Sequence, residues 1–189
     1  MSALNVHVVL GSVREGRMAG PVGRWVQRTA ADRSSMNVEV VDLGDWDLPF
    51  FALPKSPAQG DYEDALQKKW AAKVAEADAY VFISPEYNHG YSAVLKNALD
   101  YVYAEYNRKP AAFVSYGGVE GARSVEQLRQ IVVELQMAPL RNAVHIRGVW
   151  GKVEDRNFQP ADKDNEMLDK CLDELQWWGD ALKTARNAS

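Results

Sequence analysis

The sequence predicts an α/β protein: a doubly wound, five-stranded parallel sheet with strand order 2-1-3-4-5 and helices on both faces. Five short apolar runs alternate with segments in which apolar residues recur every three or four positions, as in amphipathic helices. Such alternation is typical of parallel strands joined by right-handed helical crossovers. The runs are almost continuously apolar, which indicates strands buried on both faces. The 189 residues fit one domain, 1–189, without a linker or repeat.

The first strand is predicted at 6–10 and the second at 38–43, because both are apolar runs of strand length. Between them, apolar side chains at helical spacing extend from Val22 to Ala30. Pro21 stands at the start of this stripe, where the first turn of a helix accepts proline. The pattern therefore predicts a helix that connects the first two strands.

The stretch 44–60 contains three of the eight prolines and predicts a long loop after the second strand. A helix over 63–76 and a buried strand over 79–84 follow from their apolar patterns. The next helix is predicted over 92–104, and Ser92 is suited to cap its first turn.

The second half of the chain continues the alternation, with a strand at 111–115, a helix at 123–135 and a strand at 141–146. The polar stretch 154–161 predicts a loop. A final helix is marked by an apolar stripe of Leu168, Cys171, Leu172, Leu175, Trp178 and Leu182.

The net charge of −4 argues against a nucleic-acid partner, because binding a phosphate backbone needs a basic face. No apolar run approaches the ~20 residues that span a bilayer, and no signal-peptide pattern precedes the first strand. Cys171 is the single cysteine and lies on an apolar helical stripe, so we predict that it is buried. Without an internal disulfide, the chain suits a reducing, cytoplasmic location. No metal site is predicted.

The loop 11–17 joins the first strand to the first helix, and a helix N-terminus favours an anion. Ser12 can donate a hydrogen bond to such an anion, and Arg14 and Arg17 can donate charge-assisted ones. A solvated loop face is the alternative role for the two arginines. A nucleoside-triphosphate loop is disfavoured, because Arg17 and Met18 stand where lysine and a hydroxyl residue are required. The loop suits one phosphate better than a pyrophosphate.

The loop 85–90 follows the third strand, and its residue types suit a loop whose backbone lies beside a flat heterocycle. Pro85 stiffens its entry, and Gly90 permits close approach or a positive φ. Tyr87 offers an aromatic face and Asn88 a short amide. An ordinary turn is the alternative for this loop, and contact with solvent is the simplest role for the neighbouring His89.

Pro85-Glu86-Tyr87-Asn88-His89-Gly90 and Leu95-Lys96-Asn97-Ala98-Leu99-Asp100 resemble the P-E-Y-N-x-G…L-K-N-A-[IL]-D signature of NADPH-dependent FMN reductases, a flavodoxin-like family. Gly11-Ser12-Val13-Arg14 and Tyr116-Gly117-Gly118 resemble its phosphate loop and second flavin loop. Many members have serine three residues after the arginine, where this chain has Arg17. The cofactor-binding residues predicted from the loops and the resemblance are Ser12, Arg14, Arg17, Met18, Ala19, Pro85, Glu86, Tyr87, Asn88, Gly90, Tyr116, Gly117 and Gly118.

The resemblance implies a single flavodoxin-like FMN-binding domain that acts as an NAD(P)H-dependent FMN reductase. Hydride would pass from NAD(P)H to flavin N5, without a catalytic side chain, and then to a quinone, azo compound, metal oxyanion or free flavin in ping-pong turnover. The alternatives are a flavodoxin-type electron carrier and a non-catalytic flavin-binding interaction protein.

The resemblance also implies a homodimer or homotetramer built partly on the predicted helix 92–104. We expect Asn97, Tyr101 and Tyr103 on the outer face of this helix, since aromatic residues are enriched at interfaces.

Overall fold

The computed structural model of the protein describes residues 3–188. The predicted domain, 1–189, also includes Met1, Ser2 and Ser189, which lie outside the described residues. The elements in chain order are β1 (Leu4–Leu10), α1 (Ala19–Ala31), β2 (Met36–Asp42), α2 (Ala65–Ala75), β3 (Ala79–Pro85), α3 (Ala93–Asp100), β4 (Pro110–Tyr116), α4 (Ala122–Glu134), β5 (Ala138–Pro139), β6 (Val144–Ile146), β7 (Val153–Glu154), β8 (Asn157–Phe158) and α5 (Asp162–Asn187).

The main sheet is parallel and has the order β2-β1-β3-β4-β5, which confirms the predicted topology. Val8 in the middle of β1 pairs with Val40 of β2 on one side and with Val81 of β3 on the other. Every residue of β3 and β4 is buried. One apolar core lies between the sheet and α1 with α5, and a second lies between the other face and α2, α3 and α4. The carboxyl ends of β1, β3 and β4 therefore lie side by side.

The fifth strand position differs from the prediction of one strand at 141–146. Two short strands, β5 and β6, occupy it, and both pair in parallel with β4. The Arg129 side chain donates hydrogen bonds to the carbonyls of Leu140, at 3.3 Å, and Arg141, at 2.6 Å. Because these two carbonyls are hydrogen-bonded to a side chain from α4, the chain leaves the β-sheet hydrogen bonding between β5 and β6.

The predicted loop 154–161 contains part of an antiparallel hairpin, β7–β8. Asp155 and Arg156 at its turn have left-handed φ angles of 46° and 62°. Phe158 anchors the hairpin on α1, since its ring centre is 5.0 Å from that of Trp25. The sequence predicted only a loop here, because the stretch is polar and each strand is only two residues long.

The buried stripe of α5 includes Cys171, as predicted, and burial raises the pKa of its thiol to about 12. Trp178 was expected on this stripe, but it is exposed. The buried face passes through Gly179 instead, where an added Cβ would lie 2.4 Å from Leu4 Cδ1. Within residues 3–188, none of the helices is long and apolar enough to cross a membrane.

Candidate functional site

Three loops, which follow β1, β3 and β4, enclose a cavity of about 230 Å³. The predicted site residues that line it are Arg14, Arg17, Met18, Pro85, Glu86, Tyr87, Tyr116 and Gly117. Five predicted residues do not line this cavity: Ser12, Asn88, Gly90 and Gly118, which belong to the same loops, and Ala19, which begins α1. The sheet order thus brings three separate sequence motifs to one place, as expected for strand ends of a doubly wound sheet.

The first loop is tied to the second by Ser12, which is fully buried. Its Oγ lies 2.8 Å from the Tyr87 hydroxyl, and the Arg14 backbone N–H donates to the same Oγ at 3.5 Å. The Arg14 guanidinium lies 5.4 Å from the centre of the Tyr87 ring, within cation–π distance. These contacts fix the position of Tyr87 relative to the first loop.

The two arginines of the first loop have different environments. Arg17 forms an ion pair with Asp42, at the end of β2, and Asp42 also accepts a hydrogen bond from the Gly44 N–H at 2.9 Å. Arg17 is therefore held against the sheet edge rather than solvated, and part of its charge is neutralised. Arg14 is exposed and makes no ion pair with any of residues 3–188.

Helix α1 begins beside Arg14 without a side-chain cap. Met18 occupies the N-cap position, and it offers no side-chain hydrogen bond to the first turn, which also contains no acidic residue. The first-turn N–H groups of a helix have no intrahelical acceptor, and the dipole places partial positive charge there. An anion bound at this end would supply the missing cap.

The second loop turns through residues 88 and 89. Tyr87 and Gly90 exchange two backbone hydrogen bonds, of 2.9 and 3.0 Å. Asn88 and His89 adopt left-handed φ angles of 49° and 70°, so of the two roles expected for Gly90 the positive φ falls on other residues and the close approach remains. Gly90 instead leaves room for Gln127, since an added Cβ would lie 2.9 Å from its Oε1. Asparagine at the first turn position is favoured because it tolerates this conformation.

Glu86 connects the second loop to the third. Its backbone N–H donates to the Tyr116 carbonyl at 2.8 Å. Its carboxylate, only 4% exposed, accepts hydrogen bonds from Arg123 Nε at 2.6 Å and from the Arg123 backbone N–H at 3.3 Å. The approach is so close that a Cβ on Gly117 would lie 2.7 Å from Glu86 Cβ. Glu86 is thus a positioning residue, and its carboxylate is already engaged by Arg123.

The Tyr116 hydroxyl lacks a hydrogen-bond partner among the described residues, although it is buried. Burial raises its pKa, and so does the nearby Tyr87 hydroxyl; the Ala19 backbone N–H, Arg14 and Arg17 oppose this rise. The hydroxyl therefore lies among hydrogen-bond donors and remains protonated at neutral pH. Together with the uncapped end of α1, this donor set fits a ligand that carries one phosphate.

A larger, mainly apolar cavity of about 560 Å³ adjoins Tyr87 on the side of α3. Phe50, from the loop after β2, is 80% exposed at its rim. This loop is held by Asn97, which accepts a hydrogen bond from the Phe51 N–H at 2.9 Å, and by the Tyr101 hydroxyl, which donates to the Pro49 carbonyl at 2.7 Å.

The prediction of an outer face for α3 is therefore wrong at two of three residues. Asn97 and Tyr101 are buried beneath the loop after β2, and Tyr103 is half-buried. Helix α3 also ends at Asp100, short of the predicted residue 104. Ser92 caps it as predicted, since its Oγ accepts a hydrogen bond from the Leu95 N–H at 3.2 Å.

A second group of titratable residues lies where β1 and β2 meet the end of α2, in a different cavity. His7 Nε2 is 3.6 Å from a Glu39 oxygen and 4.0 Å from a Glu76 oxygen. Lys73 donates hydrogen bonds to both carboxylates, at 2.9 and 2.5 Å, and so already supplies a positive charge between them. Burial is the largest influence on His7 and lowers its pKa.

Sequence patterns did not single out three residues at the site: Asp42, Arg123 and Trp150. Asp42 and Arg123 act through ion pairs with residues distant in sequence, and local spacing contains no signal for such pairs. Trp150 lies on a single helical turn, Val149–Lys152, and lines the cavity between the three loops while largely exposed.

The family model described as NADPH-dependent FMN reductase matches residues 4–151 of the chain. An NAD(P)H-dependent FMN reductase of Schizosaccharomyces pombe is 39% identical over 141 residues, which cover 72% of this chain and 70% of the relative. A quinone reductase of Pseudomonas putida is 26% identical over 181 residues, 92% of this chain and 94% of the relative. The solved structure of FerB, a flavoenzyme NAD(P)H:(acceptor) oxidoreductase of Paracoccus denitrificans, superposes with a TM-score of 0.75 at 20% identity. The superposition covers 95% of this chain and 98% of the FerB chain, and it is evidence for a shared fold only.

The close approach of the second and third loops predicts that only one of two neighbouring glycine substitutions destabilises the protein. Gly117→Ala should destabilise the flavin-free protein by about 1–3 kcal/mol, since its Cβ would overlap Glu86 Cβ. Gly118→Ala is the control: no atom lies within 4 Å of its added Cβ, so we expect a change within about 0.5 kcal/mol. Thermal or urea unfolding measures both, and equal stability of the two variants would contradict the described loop contact.

Proposed function

Because the chain belongs to the NADPH-dependent FMN reductase family, whose members use FMN with NAD(P)H as electron donor, we propose the following reaction. The protein oxidises NAD(P)H and passes the electrons to a small-molecule acceptor in ping-pong turnover. Quinones, azo compounds, metal oxyanions and free flavin are the candidate acceptor classes. The observation that carries the proposal is the set of unsatisfied donors at the first loop, which fits a flavin monophosphate.

We assign the phosphate end of FMN to Arg14, the first-turn N–H groups at Met18 and Ala19, and the Tyr116 hydroxyl. Arg14 has no ion pair among residues 3–188, the helix end is uncapped, and the hydroxyl is buried without a partner. Arg17 adds positive charge from its position against Asp42. A single phosphate satisfies these groups, whereas a pyrophosphate needs a longer row of donors.

We assign the flavin ring to the space between the second and third loops. Pro85, Tyr87, Tyr116 and Gly117 line that space, and the contact of Glu86 with Tyr116 and Arg123 sets its width. The turn at Asn88 and the glycines at 90 and 118 complete the two loops. Backbone groups there would orient the ring, and their hydrogen bonds would adjust its reduction potential.

If bound by these residues, FMN would supply the redox chemistry, as acceptor of a hydride from the reduced nicotinamide and donor of the two electrons to the acceptor, which would take its protons from solvent. The chain's own part is to bind and orient. Tyr87, fixed by Ser12 and Arg14, separates the cavity between the loops from the apolar cavity beside α3. No side-chain acid or base is required for hydride transfer.

A flat aromatic acceptor suits the apolar cavity of about 560 Å³, which is lined by Val13, Leu48, Pro49, Phe50 and Val94 among others. Ligand sites are typically apolar clefts with few polar groups. Relatives named as quinone reductases in Pseudomonas putida and as a probable NADPH:quinone oxidoreductase in rice favour a quinone. A cytoplasmic location remains a proposal, supported by the one buried cysteine, which forms no disulfide.

We further propose a homodimer, or a homotetramer built from it, through the surface that contains Phe50, Val13 and Val94. Phe50 and Val13 are exposed there and Val94 is half-buried, and large exposed apolar side chains on one face mark interaction sites. This surface includes the start of α3 and the loop that covers Asn97 and Tyr101. A second copy placed there would also close the apolar cavity.

We expect the flavin-loaded protein to oxidise NAD(P)H with a quinone, and double-reciprocal plots at several quinone concentrations to be parallel. Flavin released by heat should be FMN on chromatography. Intersecting plots would mean that donor and acceptor bind together. Bound flavin without turnover of NAD(P)H by any of the four acceptor classes would favour the electron-carrier or interaction-protein alternatives.

Arg14→Ala should raise the dissociation constant for FMN on the order of tenfold to a hundredfold, because one charge-assisted contact is lost. Excess FMN should restore turnover, since Arg14 is assigned to the phosphate end. Arg28→Ala, an exposed arginine near the other end of α1, is the matched control. Fluorescence titration measures both constants, and wild-type affinity in Arg14→Ala would place the phosphate elsewhere.

Light scattering at micromolar concentration should give at least twice the chain mass of 21.1 kDa. Phe50→Asp should shift the mass towards that of one chain, because a carboxylate would be buried at the interface. Val133→Asp changes an exposed valine of α4 that does not line the apolar cavity, and it should leave the mass unchanged. A wild-type protein of one chain mass would refute the proposed assembly.

A further inference from the structure

A third cavity, of about 310 Å³, lies where β1 and β2 meet the end of α2, and the proposed function gives it no role. Five of its six lining residues are polar: Asn5, His7, Asn37, Glu39 and Glu76, with Val38 as the sixth. All six differ from the residues that line the cavity between the three loops and the apolar cavity beside α3. A ligand of this cavity is therefore separate from the flavin.

The backbone fixes the positions of the three titratable side chains that line this cavity, His7, Glu39 and Glu76. His7 of β1 and Glu39 of β2 are paired in the parallel register, so their side chains leave the same face of the sheet side by side. Glu76 is the C-cap residue of α2, and its carbonyl accepts a hydrogen bond from the Asn5 side chain of β1 at 3.3 Å. Ligands that are held on strands and a helix end tied to them form a preorganised site.

The His7 imidazole lacks the hydrogen bonds that a buried ring normally makes. His7 is only 3% exposed, and its ring nitrogens form no hydrogen bond with any of residues 3–188. Oxygens of Glu39 and Glu76 lie 3.6 and 4.0 Å from Nε2, beyond hydrogen-bond distance. Most buried polar side chains have a hydrogen-bond partner. A buried ring nitrogen that faces two carboxylates across such a gap suits an ion that all three side chains coordinate.

The three side chains have the spacing of a metal site. One donor atom from each, the His7 nitrogen and one oxygen from each carboxylate, lie within 4.8 Å of one another. Zinc binds imidazole nitrogen and carboxylate oxygen at about 2.0–2.2 Å, so two such ligands are about 3.4 Å apart in a tetrahedral site. The separations from His7 exceed this value by well under an ångström. Both glutamates are exposed, so rotation of their side chains closes the difference.

A cation already lies at this point, because Lys73 of α2 bridges the two carboxylates. Its Nζ donates hydrogen bonds to Glu39 at 2.9 Å and to Glu76 at 2.5 Å. Two carboxylates face one ammonium, so one negative charge is not compensated among these three side chains. Lys73 is partly exposed on a flexible stem, and it can turn towards solvent when a dication replaces it.

We propose that His7, Glu39 and Glu76 bind one zinc ion, with water as the fourth ligand, and that zinc displaces Lys73 from the two carboxylates. An imidazole nitrogen beside two carboxylates suits zinc, whereas magnesium and calcium prefer oxygen ligands alone. The ion joins β2, which lies at one edge of the sheet, to the end of α2. Zinc bound in this way stabilises the folded chain, because the unfolded chain does not hold the three ligands together.

Calorimetric titration of the purified full-length protein, treated with chelator and free of a histidine tag, tests the site with zinc chloride as the probe. We expect one equivalent of zinc to bind, and magnesium chloride to give no binding at the same concentrations. His7→Gln removes the nitrogen ligand and should weaken zinc binding on the order of a hundredfold, since even outer groups around a metal contribute tenfold or more. His89→Gln, the same change at an exposed histidine, is the matched control and should keep the wild-type affinity.

Two further variants decide the matter if His7→Gln does not fold, because they change side chains that are not buried. Glu39→Gln should weaken zinc binding on the order of tenfold to a hundredfold, through the loss of one charged ligand. Lys73→Met should strengthen zinc binding on the order of tenfold, because the competing ammonium is gone. Zinc should also raise the midpoint of thermal unfolding of the wild type more than that of Glu39→Gln.

The site would be overturned by wild-type zinc affinity in Glu39→Gln, or by unchanged or weaker binding in Lys73→Met. A wild-type protein that binds no zinc, or that binds magnesium as tightly, would overturn it as well. Zinc binding is measured without NAD(P)H or an acceptor, so failure of this site leaves the proposed function intact, and failure of the proposed function leaves this site intact.

Discussion

The contact between Glu86 and the third loop is the constraint on which the site depends. The Glu86 backbone is bonded to Tyr116, its carboxylate is held by Arg123, and the absence of a side chain at Gly117 permits the approach. This contact sets the distance between two strand-end loops. It also directs Tyr87 towards the first loop, where Ser12 fixes the tyrosine hydroxyl. One buried carboxylate thus determines the shape of a cavity to which it contributes no free charge.

The first loop differs from the second and third, because polar groups around it lack hydrogen-bond partners. Helix α1 has no side-chain cap, and the buried Tyr116 hydroxyl makes no hydrogen bond with any of residues 3–188. A buried polar group without a partner costs about 1–3 kcal/mol. A phosphate bound there, as proposed, would recover that free energy, so the same groups that destabilise the empty protein would contribute to affinity for the ligand. Binding and folding stability are linked through this loop.

Strand order and the three loops could be predicted because each depends on local pattern: apolar runs, helical spacing and the glycines and prolines at strand ends. The ion pairs of Arg17 and Glu86 join residues distant in sequence, and local spacing does not encode them. Asn97 was misplaced for a similar reason, since a loop that bonds to it from 46 residues earlier covers it. The positive φ angle fell on Asn88 rather than Gly90 because turn geometry, not residue type alone, decides its position.

In the proposed function, one end of the site holds a phosphate and the other holds a flavin ring. Amide NMR titration of the flavin-free protein with FMN and with riboflavin tests it most directly. FMN should shift the amides at 16–19 together with those at 85–90 and 116–118. Riboflavin, which lacks the phosphate, should shift the latter two groups and leave 16–19 nearly unchanged. Identical perturbation of 16–19 by both ligands, or FMN shifts centred on the His7 cavity, would contradict the account.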